Sequence, residues 1–323
     1  MAATTGYDRD AIAASVIVPV FGNLEQARST LSALLAQRLD GGAGFEIVVV
    51  DDGSPDATAD ALEAEFATHI RLYRNPVNLG RARTRNIGVQ QAGSRYVVLL
   101  DSDCVPSDRR FLAHHLRILE SGAVATCGSV AGYGGGFWDR YQRAASARRE
   151  SLMARGVAGA GTTANMAFNK SAFLEVGGFD TKYQRYGFED RDLLMRLATL
   201  GRVVWVSDAS VIHGDDLSAA AVCRKMREAG RYNAERFATV HVEAYQALSY
   251  ARFDARLNPW LRPMGRIASV LAPTLAAATD LAVSIPSMPF PIASALMRGA
   301  GMLSFLTGTW EATKADLPPS DRS

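Results

Sequence analysis

The sequence predicts an α/β chain built on a doubly wound, mostly parallel sheet with a helical C-terminal extension. Short β-rich runs alternate with helical stretches from Ser15 to about Cys104. Several of those runs are apolar throughout, as strands covered on both faces are. From Ser218 onward the pattern turns helical, first basic and then apolar.

In chain order, Ser15-Val16-Ile17-Val18-Pro19-Val20 reads as the first strand, and Leu24 to Arg38 as a helix with Leu31, Leu34 and Leu35 inward. Phe45 to Val50 is a second strand, Asp56 to Phe66 a helix after a Gly-Ser-Pro turn, and Ile70 to Tyr73 a third strand. Arg81 to Gln91 follows as a helix ended near Gly93, then Tyr96 to Leu100 as the fourth strand. Buried strands separated by helices of this length indicate a parallel sheet. Beyond Asp108 the order loosens. Gly132 to Gly136 is a glycine-rich turn, Trp138 to Arg155 a helix, and Gly156 to Thr163 a mobile loop. Glu189 to about Leu200 reads as a helix with Leu193, Leu194, Leu197 and Leu200 on one side. Val203 to Val206 is a strand, Val211-Ile212-His213 a short extended piece, and Ser218 to about Tyr250 a long helical region.

A length of 323 residues favours one large domain plus an appendage, and 48% hydrophobic with 21% charged residues is ordinary globular usage. A net charge of +2 gives no reason to expect nucleic acid as the main partner. Cys104, Cys127 and Cys223 match no metal spacing and cannot all pair, which fits a reducing cytoplasm. Met1 to Arg9 lacks a basic segment leading into an apolar one, so no secretory signal is expected.

From Arg224 to Arg266 there are nine Lys/Arg against four Asp/Glu. Ile267 to Trp310 is then mostly apolar and small, broken by Asp280, Pro286, Pro289, Pro291 and Arg298. Each half approaches the roughly 20 residues of a membrane span, but Asp280 and Arg298 would be costly there. A hairpin dipping into one leaflet, or amphipathic helices in the interface, fits better beside the basic stretch. Packing on the core, or on a second copy of the chain, is the alternative.

The chemistry-bearing residues gather at predicted strand ends. Asp101-Ser102-Asp103 closes the run Tyr96 to Leu100 at the sheet edge where ligands bind in open α/β folds. Two acids one residue apart suit a hard divalent cation that completes its shell with water and substrate phosphates. Val20-Phe21-Gly22-Asn23 is too short for a Gly-x-Gly-x-x-Gly turn, which argues against a dinucleotide-binding dehydrogenase. Asp51-Asp52-Gly53-Ser54 offers carboxylates to a nucleobase imide or ribose hydroxyls, and equally reads as an acidic turn with an N-cap. Arg81 and Arg85, four apart, share a helix face that could hold a diphosphate or simply be solvated.

Together these segments resemble family 2 glycosyltransferases of the GT-A fold. The resemblance is carried by the first strand, Asp51-Asp52-Gly53-Ser54, Asn78-Leu79-Gly80 through Arg85-Asn86-x-Gly88, and Leu100-Asp101-Ser102-Asp103. Gly177-Gly178-Phe179-Asp180 and Gly187-Phe188-Glu189-Asp190-x-Asp192-Leu193 extend it on the acceptor side, so it runs from about Ser15 to His213. It implies a catalytic domain over 1–216, with a nucleotide-binding half at about 12–104 and an acceptor-binding half at about 105–216. Residues 217–323 would be the helical extension.

The resemblance also implies roles. Pro19, Asp51 and Asp52 would line the nucleoside pocket, and Arg85, with Arg81, would approach the diphosphate. Asp101 would contact ribose or a metal-bound water, Asp103 would bind Mn²⁺ or Mg²⁺ directly, and His213 falls where relatives place another metal ligand. Asp190 would be the general base that takes the acceptor hydroxyl's proton, with its charge favoured at a helix N-terminus. Glu189 is its rival and Asp192 a cap. The 159–163 loop would close over the donor. The implied reaction is inverting transfer from a nucleoside-diphosphate sugar, UDP-sugar favoured, to a glycan or lipid-linked acceptor, in the cytoplasm at the inner face of the plasma membrane. A nucleotidyltransferase would want a glycine-rich, Lys/Arg-containing first loop, which Phe21 to Glu25 lacks. A catalytically silent glycan-binding scaffold would leave Asp101, Asp103, Glu189 and Asp190 unused.

Overall fold

The computed structural model describes residues 12–214, 217–285 and 287–315. The stretch read as lacking a secretory signal, the boundary residue 216 and Pro286 lie outside the described residues. The described chain divides into two compact units. One holds residues 12–181 and 193–214; the other holds 182–192 with the C-terminal helices.

The first unit opens with β1 (Ile12–Val20), α1 (Leu24–Leu35), β2 (Gly44–Asp51), α2 (Thr58–Phe66), β3 (Arg71–Arg74), α3 (Arg81–Gln91) and β4 (Tyr96–Leu100). The alternation follows the sequence reading, because Val16, Val18, Val49 and Val98 bury against Leu31, Leu34 and Leu62. Leu35 departs from it. The inward stripe of α1 is Ala27, Thr30, Leu31 and Leu34, and Leu35, about 100° further round, is exposed.

The unit continues through β5 (Cys104–Pro106), α4 (Phe111–Glu120), β6 (Ala125–Ala131), α5 (Phe137–Ala154), β7 (Asn165–Asn169) and α6 (Lys170–Glu175). It ends with α7 (Glu189–Ala198), whose first turn lies across the unit division, and β8 (Val203–His213). The eight-stranded sheet runs β3-β2-β1-β4-β7-β6-β8-β5. It is mostly parallel, with β7 antiparallel to β4 and β6, and β5 antiparallel to β8.

Three expectations change. The two extended pieces around residues 203 and 213 are one strand, with an irregularity opposite Gly128/Ser129. The stretch read as a mobile loop is packed: Gly159, Ala160, Gly161 and Thr163 are buried, and a Cβ at Gly161 would come 2.7 Å from Leu194 Cδ1. Leu200 lies past the end of α7 and is exposed.

The second unit contains α8 (Ala219–Glu228), a π turn at Ala229–Asn233, α9 (Ala234–Val240), α10 (Val242–Ala247), α11 (Arg262–Val283) and α12 (Phe290–Ala315). The helical region read to Tyr250 is interrupted at His241, whose φ of −126° and ψ of 61° leave the helix. α11 meets α12 through a stripe of small residues. Gly265, Ala268, Ala272 and Ala276 are buried, and a Cβ at Gly265 would come 2.6 Å from Trp310 Cβ. Asp280, costly in an apolar helix, has a structural use: its carboxylate accepts from the Ala219 and Ala220 amides at 2.7 and 3.4 Å, capping α8.

Candidate functional site

The topology brings the acidic motifs to one edge. β1, β2, β3 and β4 are parallel, and β6 and β8 run the same way because β4 and β6 both oppose β7. Their carboxyl ends therefore deliver Pro19, Asp51, Asp101, the Gly132–Gly136 turn and His213 to the same side.

The turn after β4 is fixed by bonds its own sequence does not announce. Cys104 N donates to Asp101 O at 3.0 Å, and buried Thr30 of α1 donates its hydroxyl to Ser102 O at 2.9 Å. Gly214 N donates to Asp103 O at 2.7 Å, and Cys104 pairs with His213 across β5 and β8. His213 Nε2 and Asp103 Oδ2 consequently lie 3.4 Å apart. Ligand atoms of Asp103, Cys104 and His213 all fall within 4.8 Å of one another. Two donors on one six-coordinate cation, each at about 2.1 Å, sit roughly 3 Å apart, so carboxylate and imidazole fit Mn²⁺ or Mg²⁺. Cys104 is fully buried and serves as filler beside them.

Asp101 has a different task. Arg85 donates from Nη2 to Asp101 Oδ1 at 2.7 Å, and its guanidinium is almost wholly buried over the Phe179 ring, 5.6 Å away. Burial pushes the Asp101 carboxyl up, but Arg85, with lesser help from Arg81 and His213, outweighs it and holds the group below the usual carboxylate range. The expected arginine pair is thus divided: Arg81 is exposed, whereas Arg85 is committed to Asp101. Asn86 locks this arrangement, accepting from Phe179 N at 2.9 Å and donating to Phe179 O at 3.0 Å. Gly178 is required there, since its φ is +69° and a Cβ would come 2.8 Å from Asn86 Oδ1.

The two acids after β2 are also separated by use. Asp51 accepts from Ser54, whose hydroxyl in turn accepts from Gly22 N at 2.8 Å, so the β1 and β2 ends are tied together. Asp52 accepts from Asn75 Nδ2, Leu79 N and Gly80 N at 2.9, 2.8 and 3.0 Å. Its carboxylate therefore also holds the loop that leads into α3. Pro19 is half-buried at the end of β1. Gly53 permits the turn: at φ +72° a Cβ would come 2.6 Å from the Val77 carbonyl carbon.

Glu189 and Asp190 belong to the second unit. Phe188, at φ +73°, packs in a cluster with Phe237, Tyr245, Tyr250 and Phe305. Glu189 is buried and Asp190 half-buried in the first turn of α7. Asp192, expected only to cap, is buried and 2.9 Å from His241 Nε2. The sequence reading missed His241, which has no local motif, and Tyr133, which is 83% exposed inside the glycine-rich turn after β6. An aromatic among four glycines was the available signal.

A mixed, mostly parallel sheet carrying acids and a histidine at its carboxyl edge defines a GT-A-type α/β domain. The sequence profile of glycosyl transferase family 2 matches residues 15–177, just over half of the chain, and the chain belongs to that family. Glycosyltransferase AglE of Haloferax volcanii is 27% identical over 173 residues, which are 51% of this chain and 55% of that protein. Glycosyltransferase GlyA of Streptococcus pneumoniae serotype 4 is 36% identical over 91 residues, 28% of this chain and 12% of that one. The chain thus spans about half the length of the Haloferax relative and less of the pneumococcal one. Among solved structures, mannosyltransferase PcManGT from Pyrobaculum calidifontis in complex with GDP-Man and Mn²⁺ shares the fold with a TM-score of 0.60 at 19% identity, over 97% of this chain and 92% of that one. GalNAc-T7 with UDP, GalNAc and Mn²⁺ shares it with a TM-score of 0.52 at 16% identity, over 69% and 48%.

Proposed function

We propose that the protein is an inverting, metal-dependent hexosyltransferase. It moves a sugar from a nucleoside diphosphate, UDP favoured, to a hydroxyl of a glycan or lipid-linked acceptor, in the cytoplasm at the inner face of the plasma membrane. The catalytic domain of this reading is 1–216, with 12–104 for the donor and 105–216 for the acceptor. The observation that carries it is the 3.4 Å approach of His213 to Asp103 beside the Arg85–Asp101 pair, in a family 2 chain. Mn²⁺ or Mg²⁺ held by Asp103 and His213 would supply Lewis-acid neutralisation of the departing diphosphate.

The chain's own residues divide the remaining work. Pro19, Asp51 and Asp52 meet the nucleoside, and Asp101, oriented by Arg85, accepts from the ribose or from a metal-bound water. Arg85 and Arg81, the latter exposed at the start of α3, approach the diphosphate. Asp190 takes the acceptor proton during a single in-line displacement. Both acids lie in the first turn of α7, and Asp190's half-buried side chain supports that choice over buried Glu189.

Likeness to PcManGT over 97% of this chain makes a GDP-sugar the second reading of the donor. A thermal-shift panel of UDP-, GDP- and dTDP-sugars, each with and without Mn²⁺, tests both. Stabilisation by one nucleotide series, present only with metal, is the expected outcome. Stabilisation by no sugar nucleotide would remove the proposal.

A further inference from the structure

The outer face of α11 is an apolar stripe left uncovered within its unit. Trp260, Met264, Ile267, Val270, Leu271 and Leu281 are all exposed, Trp260 and Leu281 each at 68%. The inner face, of Gly265, Ala268, Ala272 and Ala276, is already taken by α12. α11 therefore has one side packed and one side presented along its 22 residues, about 33 Å at 1.5 Å per residue. Pro259–Val283 is long and apolar enough to cross a membrane by length and composition. Its packed side and the use of Asp280 as the cap of α8 hold it in the helical bundle instead.

The charges around the stripe say what covers it. Arg262 and Arg266 are exposed in the first turns of α11 after Trp260, Arg252 is exposed in the preceding 250–253 turn, and none of the three makes an ion pair among the described residues. Between residues 255 and 310 the sequence holds one acid, Asp280, and that carboxylate is bonded to the α8 amides. A second copy of the chain would thus bring no counter-charge to these arginines along the same face. An anionic bilayer brings both a phosphate layer for the guanidinium groups and a hydrocarbon boundary for the stripe. Trp260, with an apolar ring and one N–H, suits the headgroup level between them.

We infer that α11 is a monotopic docking surface, lying in the plane of an anionic membrane with Ile267, Leu271 and Leu281 sunk into the acyl boundary and Arg252, Arg262 and Arg266 on lipid phosphates. This deepens the placement at a membrane face proposed above and is independent of the transfer chemistry. Cosedimentation of the full chain with phosphatidylcholine vesicles, with and without phosphatidylglycerol, reads it without donor or metal. The expected result is binding to the anionic vesicles that added salt weakens. Ile267→Asp reduces it roughly tenfold or more, and Arg262→Gln with Arg266→Gln reduces binding to anionic vesicles by a similar factor. Unchanged melting of each variant, and unchanged stabilisation by sugar nucleotide with Mn²⁺, show that the fold and the donor site persist. Equal sedimentation of wild type and Ile267→Asp would overturn the inference. So would a concentration-dependent dimer, abolished by Ile267→Asp, in a protein that ignores both vesicle types.

Discussion

The strand edge and the segment carrying Asp190 are secured in opposite ways. At the edge, acids are clasped by polar partners from nearby loops and from α3: Asp51 by Ser54, Asp52 by Asn75 to Gly80, Asp101 by Arg85, and Asp103 through its backbone by Gly214. The segment at 182–192 is gripped largely by aromatic rings from residues 237–305, with His241 on Asp192 and the Asn233 amide on the Arg185 and Gly187 carbonyls. The difference teaches where to look for determinants. A charge held by hydrogen bonds at a sheet edge writes its partners into compact motifs, because the loops that supply them are short. A helix start held by apolar packing leaves its anchors dispersed, since many side chains satisfy a greasy surface.

The sharpest way to separate the two regions is a pair of substitutions. Asp190→Asn should leave donor binding with Mn²⁺ intact while transfer falls by about 10²- to 10⁴-fold. Asp103→Ala should abolish the metal-dependent part of donor binding and cost transfer about 10³-fold. Titration calorimetry beside initial rates checks both, and undiminished transfer by Asp190→Asn would remove its role.

A smaller effect distinguishes the strand unit by pH. His115 is fully buried, with Nδ1 2.8 Å from Thr126 Oγ1 and Nε2 2.8 Å from Asn165 Oδ1, and burial pushes its pKa down to about 4. The unfolded chain binds that proton near pH 6.5, so the neutral form's stabilisation is complete above 6.5 and is lost progressively as pH falls towards 4. The loss amounts to about 3 kcal/mol. Denaturant midpoints across that window should fall more steeply for wild type than for His115→Gln.

The smallest expected change tests the aromatic grip. His241→Ala removes the imidazole bond to buried Asp192 and should cost about 2 kcal/mol in thermal or urea unfolding. His241→Gln, which can still donate, should recover part of it. If both variants unfold like wild type, the pairing contributes nothing to holding the start of α7.

β1, β2 and β4 were legible because Val16 to Val20, Ile47 to Val50 and Val97 to Leu100 are largely apolar, buried runs. β6 escaped notice since Ala125-Thr126-Cys127-Gly128-Ser129-Val130-Ala131 is small and polar. Its polarity is internal: Thr126 bonds His115, and Asn165 bonds the Ser129 and Ala209 carbonyls. Gly128 is there because a Cβ would strike the Ala209 carbonyl. In the site, acids were visible as motifs, but motifs do not state what a carboxylate touches. Asp52 bonds the loop before α3 and Arg85 bonds Asp101, partners that no spacing in the sequence states.

Asp280 carries a consequence for how the C-terminal helices behave as a body. Because its carboxylate seats the first amides of α8, α11 cannot pull away without stranding a charge in one helix and bare N–H groups in another. α8 and α11 are therefore tied end to side, so that neither is free to move without the other.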